Sequence, residues 1–398
     1  MPEHLPSRRG LLWTAGVGAA GAALATTPVA ASPAAPATTG SAVRNVRDFG
    51  AVGDGSADDT NAFAAAVAAA AGGPVLLYVP AGDYVVTAFP ELADGAQVYG
   101  DGADASTIEY PGDGTLIWLQ NKQRVRFSRM GIYLTSGANA TAVRISQCFR
   151  CSFEQVLIRG NHSSDTYPAF VNQQGAVLDQ NTGGTAFIDC DINNLGYGIV
   201  TSCIQNYVTA CKLATNRVGV LGTGSDYNAG LAIANTEFVS DNNPNTTSRH
   251  IDIDGPANDW WLTGVWFEGA DVAIAVGRSG IGGPSQFGMV NCKIAARTLC
   301  LDLQSCRQPH LTDVIFDADT STAPTELRID ATNCPEGTAI GLISGIRDDI
   351  DPQTYPPAWQ VLGRRGLYSN TITLRDGAGG LWRLSVATDG TLSAQRAT

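Results

Sequence analysis

Lysine is almost absent from this chain. There are three in 398 residues, against a formal net charge of −12 and a pI near 4.7. Binding a phosphate polymer or an anionic lipid surface needs clustered cations, so nucleic acid and membrane surfaces are excluded as partners. Charged residues of all kinds make up only 16%. A long apolar run is missing too: the stretch after Arg9 is short and broken by Gly and Thr, so a permanent membrane span is not expected. Cys148-x-x-Cys151 has no second Cys-x-x-Cys to complete a zinc site, and no metal or cofactor is called for. What the chain does have is 45 Gly and 44% hydrophobic residues, enough for a long core interrupted by many turns.

Residues 1–31 read as a targeting segment that takes no part in the fold. Ser7-Arg8-Arg9-Gly10-Leu11-Leu12 resembles a twin-arginine export signal, and Val29-Ala30-Ala31 offers small residues for cleavage. Residues 32–42, rich in Ala, Pro and Thr, form a flexible leader. The mature protein is expected to be secreted by twin-arginine export. The nine cysteines fit that route, because such proteins fold in a reducing cytoplasm. Cys190, Cys211 and Cys292 recur at one place in a repeated pattern, which favours small core residues over a disulfide or metal cluster. Cys148 and Cys151 remain the pair able to close a small disulfide loop.

That repeated pattern organises the chain. Asp189-Cys190-Asp191-Ile192, Ala210-Cys211-Lys212-Leu213, Asn235-Thr236-Glu237-Phe238, Gly264-Val265-Trp266-Phe267, Asn291-Cys292-Lys293-Ile294 and Asp313-Val314-Ile315-Phe316 superimpose. Each ends on a large apolar anchor, preceded two positions earlier by a small apolar residue or Thr, with a freely varying residue between. Met130-Gly131-Ile132 and Val156-Leu157-Ile158 fit as well. Short strands recurring every twenty to thirty residues signal a solenoid, whose units bury their apolar faces only by stacking. The leucine-rich-repeat spacing is absent, so a parallel β-helix is expected. The in/out assignment of the small position and the anchor is left open.

The start of the repeat region carries a family resemblance. Val46-Arg47-Asp48-Phe49-Gly50-Ala51-Val52-Gly53-Asp54-Gly55 is followed by Asp58-Asp59-Thr60, an Ala-rich segment, Gly72-Gly73 and Val79-Pro80-Ala81-Gly82-Asp83-Tyr84. These residues resemble the opening of the pectate-lyase-like superfamily, including glycoside hydrolase family 28-related proteins and phage tailspikes. The resemblance implies an all-β, single-stranded right-handed parallel β-helix. Independently, Asp58 or Asp59 can cap an amphipathic helix with Phe63 and Val67 on one face, ended by Gly72-Gly73 and placed to cover the open first rung. The acidic residues of this stretch are expected in turns and caps rather than at a metal. The motifs of family 28 polygalacturonases (Asn-Thr-Asp, Gly-His-Gly, Arg-Ile-Lys) are absent, so the resemblance does not name the reaction.

The expected layout is a β-helix over 43–350 and a small C-terminal β cap over 351–398, with strands around Leu367–Leu374 and Trp382–Val386. Tailspike-like relatives assemble as trimers through such tails, so both a homotrimer and a monomer stand as expectations. Gly160 to Thr185 reads as a long polar insertion, either a cleft wall or a plain surface excursion.

The chemistry is expected in the freely varying column. Asp191, Lys212 and Glu237 would form a charged ladder on successive rungs about 4.8 Å apart, with Trp266 next. Asn194, Arg217, Asp241 and Glu268 lie just downstream, and Trp260 and Trp261 precede the fourth rung. Carboxylates, cations and flat rings along a rod suit an extended sugar polymer. The expected catalytic groups are Asp191 and Glu237, then Asp241 and Glu268. Lys212, Arg217, Asn194, Trp260, Trp261 and Trp266 are the expected substrate contacts. Two rungs separate Asp191 from Glu237, about 9.6 Å between Cα atoms, a spacing on the inverting side for a glycosidase. A lyase acting on a uronate polymer and a non-catalytic carbohydrate-binding module are the alternatives. His250 and His310 carry little weight as acid–base groups.

Overall fold

The computed structural model describes residues 43–224, 229–320, 322–363, 366–368 and 371–396. The expected signal and leader segments lie outside them. The described residues form one compact unit. It is a parallel β-helix of about 12 turns. Each full turn contributes a strand to each of three sheets.

The first face runs from Val43–Asn45 and Leu76–Val79 through Ala186–Ile188, Asn206–Thr209, Leu231–Ala234 and Trp260–Thr263 to Gln360–Gly363, every neighbour parallel. The second includes Asp191–Asn193, Lys212–Ala214 and Glu237–Val239, then continues into the long strands Trp266–Val276 and Lys293–Leu303. The third includes Gly114–Gln120, Ala140–Ser146, Gln174–Asp179, Tyr197–Thr201 and Val218–Gly222.

Both inward positions of the repeat are resolved by the strand period. Cys190 and Ile192, two residues apart, point to the same side and are both buried. The residue before them sits at the sharp corner between the first and second faces, in the left-handed region: Asp189 (φ 52°), Ala210 (φ 55°), Asn235 (φ 49°), Asn291 (φ 53°) and Asp313 (φ 51°). Asn, Asp and Gly tolerate that conformation best, which explains their frequency there. The small column is held by a local bond. The thiols of Cys190, Cys211 and Cys292 donate to the carbonyl two residues back at 3.3–3.4 Å, and Thr236 does the same with its hydroxyl at 2.9 Å. Cys and Thr therefore interchange as small side chains able to satisfy that carbonyl. All nine cysteines are free and buried, Cys148 and Cys151 included.

Stacked rings extend the core along the axis. Phe127, Phe153 and Phe187 lie face to face at 5.3 and 5.1 Å, and Phe238 stacks on Phe267 at 4.9 Å. Near the N-terminus the helix Thr60–Ala68 buries Ala62, Phe63 and Ala66, with Phe63 edge-on to Tyr84 at 5.7 Å. Asp59 does not cap the helix with its side chain. Its carboxylate accepts from the Val52 and Gly53 amides instead, while Asp58 accepts from Thr60 and Asp54 from Ser56 and Ala57. At the other end, parallel pairing continues through Gln360–Gly363, followed by an antiparallel sheet of Thr371–Arg375, Leu381–Val386 and Leu392–Arg396. The expected insertion is shorter than its polarity suggests: irregular chain spans 160–173, and Gln174–Asp179 is an ordinary third-face strand.

Candidate active site on the second face

Parallel pairing turns the varying column into a physical row. Leu157 pairs with Asp191, Asp191 with Lys212, Lys212 with Glu237, Glu237 with Trp266, Trp266 with Lys293 and Lys293 with Ile315. Lys212 Nζ stands 4.0 Å from Glu237 Oε2, both exposed, a pair worth little as stability. Lys293 Nζ lies 4.6 Å from the Trp266 ring centroid and 3.2 Å from Asp317 Oδ2. Trp266 donates its indole N–H to Glu268 Oε2 at 3.2 Å. Glu268 is thereby tied to the tryptophan beside it.

Two loops rise over the N-terminal part of this row. Gly131 has no side chain, and the carbonyl of Ala103 occupies the space a Cβ would need, so the 101–105 loop lies directly on the second face. It brings Asp104 beside Tyr133 and close enough to Asp191 for the two charges to interact. Burial pushes the Tyr133 phenol above its ordinary value, with Asp104 adding to the shift and Arg159 opposing it. Burial likewise raises the Asp191 carboxyl, against the pull of Lys212 and with the push of Asp104. Asp191 therefore holds a proton more readily than a free aspartate, although its side chain still reaches solvent. The opposite wall is the 160–173 segment. Asn161 donates to the Leu134 and Thr135 carbonyls at 2.8 and 2.6 Å, and the buried His162 ring bonds the Thr246 carbonyl at 2.7 Å. Beside the 160–173 wall lies a groove of about 410 Å³ over Tyr133, Arg159 and Asn194, and beside the 101–105 loop another of about 370 Å³ reaching Arg129 and Asp191.

Several expected residues do not join this surface. Trp260 is 0% exposed and donates its indole N–H to the Ala229 carbonyl at 2.7 Å, so it is core. Trp261 is exposed but belongs to the first face. Asp241 is spent on a turn, accepting from the Asn243 amide and the Thr246 hydroxyl. Arg217 donates to the Pro244 carbonyl and stacks on Tyr167 at 5.1 Å, bracing the loops. Asn194 occupies a left-handed corner (φ 57°) and donates to the His162 carbonyl at 3.1 Å, lining the groove from a fixed position. His250 is buried, its pKa lowered by desolvation to about 4, so its ring is neutral and packed. Sequence reasoning missed Asp104, Tyr133 and Arg159. Tyr133 and Arg159 each follow an anchor (Ile132, Ile158) and form a second outward column, which the same period-two logic identifies. Among the described residues no group of three His, Cys, Asp or Glu is arranged to hold a metal ion.

A parallel β-helix with carboxylates, cations and aromatic rings ranked along one face is the class of protein that the fold and site define. Within that class, the chain belongs to the rhamnogalacturonase A/epimerase, pectate lyase-like family, whose family model matches residues 43–243. It is similar to mannuronan C5-epimerase AlgE3 of Azotobacter vinelandii, 46% identical over 84 residues, which is 19% of this chain and 4% of that protein. It is also similar to alginate lyase 7 of the same organism, 52% identical over 56 residues, 14% of this chain and 6% of that one. The chain thus spans a small part of these relatives' lengths. Among solved structures it resembles ORF18 of Geobacillus virus E2, with a TM-score of 0.56 and 14% identity, covering 89% of this chain and 76% of that one. That likeness is one of fold.

Proposed function

We propose that this protein hydrolyses glycosidic bonds of an extended polysaccharide lying along the second face. The observation that carries the reading is the split between two carboxylates on one row. Partial burial pushes Asp191, still open to solvent, towards its protonated form with the Asp104 charge adding to the shift, and Glu237, two rungs on, stands beside the Lys212 ammonium. Different environments for paired carboxyls separate an acid from a base. Asp191 protonates the departing oxygen, and Glu237 takes a proton from the attacking water. A separation of about 9.6 Å between their Cα atoms leaves room for that water and favours inversion. Trp266 offers a flat face to a neighbouring sugar, and Lys212 bonds its hydroxyls. We also propose that the chain is exported by the twin-arginine route and meets this polymer outside the cell.

A second reading is removal of the C5 proton of a uronate. The alginate-directed names of two relatives favour it, and so do Arg159 and Tyr133 in the groove, a cation to neutralise the carboxylate and a phenol that keeps its proton. The test incubates the mature protein with a panel of neutral and uronate polysaccharides. New reducing ends without the ultraviolet absorbance of an unsaturated uronate support hydrolysis, and Asp191→Asn and Glu237→Gln should each abolish it. Unsaturated product, or epimerised polymer without new ends, overturns hydrolysis in favour of the second reading.

A further inference from the structure

Trp261 builds a different site. It sits on the first face, where Tyr207, Ala232, Trp261 and Gly288 pair in order along one outward column. Tyr207 is 46% and Trp261 43% exposed. The benzo edge of the indole, through Cε3 and Cζ3, fills the space above Gly288 that a Cβ there would require. Ala232 leaves a shallow floor between the two rings, which stand two rungs, about 9.6 Å, apart. A cavity of about 310 Å³ opens at this point, edged by Gln205, Asn258 and Asp259. Asp259 is the charged side chain on that lining.

We infer that this column is a second carbohydrate-binding site, separate from the second-face row, which takes an uncharged hexose stretch of a polysaccharide laid along the β-helix axis. Two exposed rings in line supply stacking surfaces for the apolar faces of sugar rings, and amides and a carboxylate at the edge receive hydroxyls. A carboxylate there disfavours a uronate at the same position. The inference rests on the reading of the protein as carbohydrate-active but not on which reaction it performs. Its role would be to hold polymer beside the reacting face, raising the local concentration of the second segment.

The test is affinity electrophoresis of the full chain through gels containing single neutral or uronate polysaccharides. The expected result is retardation by a neutral glycan that persists in Asp191→Asn and Trp266→Ala. Retardation should weaken about tenfold in Trp261→Ala and Tyr207→Ala, with unchanged thermal transitions. Gly288→Ala keeps both aromatics but lifts the indole from the sheet, and it should weaken binding in the same direction. Retardation unchanged in Trp261→Ala, or lost only in Trp266→Ala, overturns the second site while leaving the second-face reading intact. Absence of retardation by every glycan overturns it as well.

Discussion

His250 makes the stability of this protein fall in mild acid by an amount that the structure sets. The ring packs against the side of the stacked Phe238–Phe267 pair, with centroids at 5.8 and 6.0 Å, and bonds the Glu268 carbonyl at 2.8 Å. Desolvation lowers its pKa from 6.5 to about 4. In the unfolded chain the same imidazole takes a proton near 6.5, so between these values the unfolded state binds more protons than the folded one. Stability then rises with pH across the window and is lost as pH falls from about 6.5 to about 4. At about 1.4 kcal/mol per pKa unit, the loss on going from neutrality to about pH 4.5 is on the order of 2–3 kcal/mol. The assay is urea denaturation at both pH values of the wild type and His250→Gln, whose amide can still donate to the Glu268 carbonyl. Carboxylate contributions are shared and cancel. The wild type should lose about 2–3 kcal/mol more than the variant. Equal losses, or a wild-type ring-proton titration with a midpoint near the free value, would refute the reasoning.

The two neighbouring tryptophans and Trp266 should separate cleanly. Trp260→Ala opens a core cavity and should cost about 3–5 kcal/mol in chemical denaturation, whereas Trp266→Ala should stay within about 0.5 kcal/mol and weaken polysaccharide binding. Asn216 accepts from the Leu195 amide at 3.0 Å and donates to the Ile192 carbonyl at 2.8 Å, both buried. Asn216→Leu orphans both groups and should cost roughly 2–4 kcal/mol, read as a lowered denaturation midpoint. Gly131→Val forces the 101–105 loop off the second face through the Ala103 carbonyl. Activity should fall while the thermal transition shows the fold persisting. Activity retained in that variant would remove the loop, and Asp104 with it, from the site.

Much of this architecture is legible in the sequence because parallel stacking converts sequence equivalence into spatial adjacency. The row Asp191, Lys212, Glu237, Trp266, Lys293, Ile315 is paired in the order the repeat alignment requires. Strand parity is less legible. Trp260 and Trp261 differ by one position, and that single step moves a ring from core to solvent. The cue lies in neighbouring rungs: Leu231-Ala232-Ile233, Trp260-Trp261-Leu262 and Phe287-Gly288-Met289 align with their outer members inward. Other features had no local signal. Asp104 reaches Tyr133 and Asp191 because an excursion from one rung folds over Gly131 of the next, and sequence distance carries no information about that crossing. The same holds for His162, whose partner is the carbonyl of Thr246 84 positions away.

The scaffold also explains why fold and reaction separate so readily here. Backbone ladders and the inward columns hold each rung in place, and the outward side chains contribute little to that framework. An outward position is therefore free to change from Leu157 to Asp191 to Lys212 without altering the rung beneath it. What such a surface cannot do by strand residues alone is exclude water or shift a proton equilibrium, because a flat exposed sheet leaves its carboxylates solvated. In this chain that step falls to the excursions between strands. Asp191 is partly desolvated beside the 101–105 loop, while Glu237, two rungs on, stands exposed beside Lys212. Loops of unequal length thus divide one regular row into less and more solvated segments. Shortening the 101–105 loop should for this reason lower the Asp191 pKa towards the ordinary carboxylate range and move the alkaline limb of any pH–rate profile, where the general acid loses its proton, down with it. An unmoved limb would mean that Asp191 is not the group that supplies the proton.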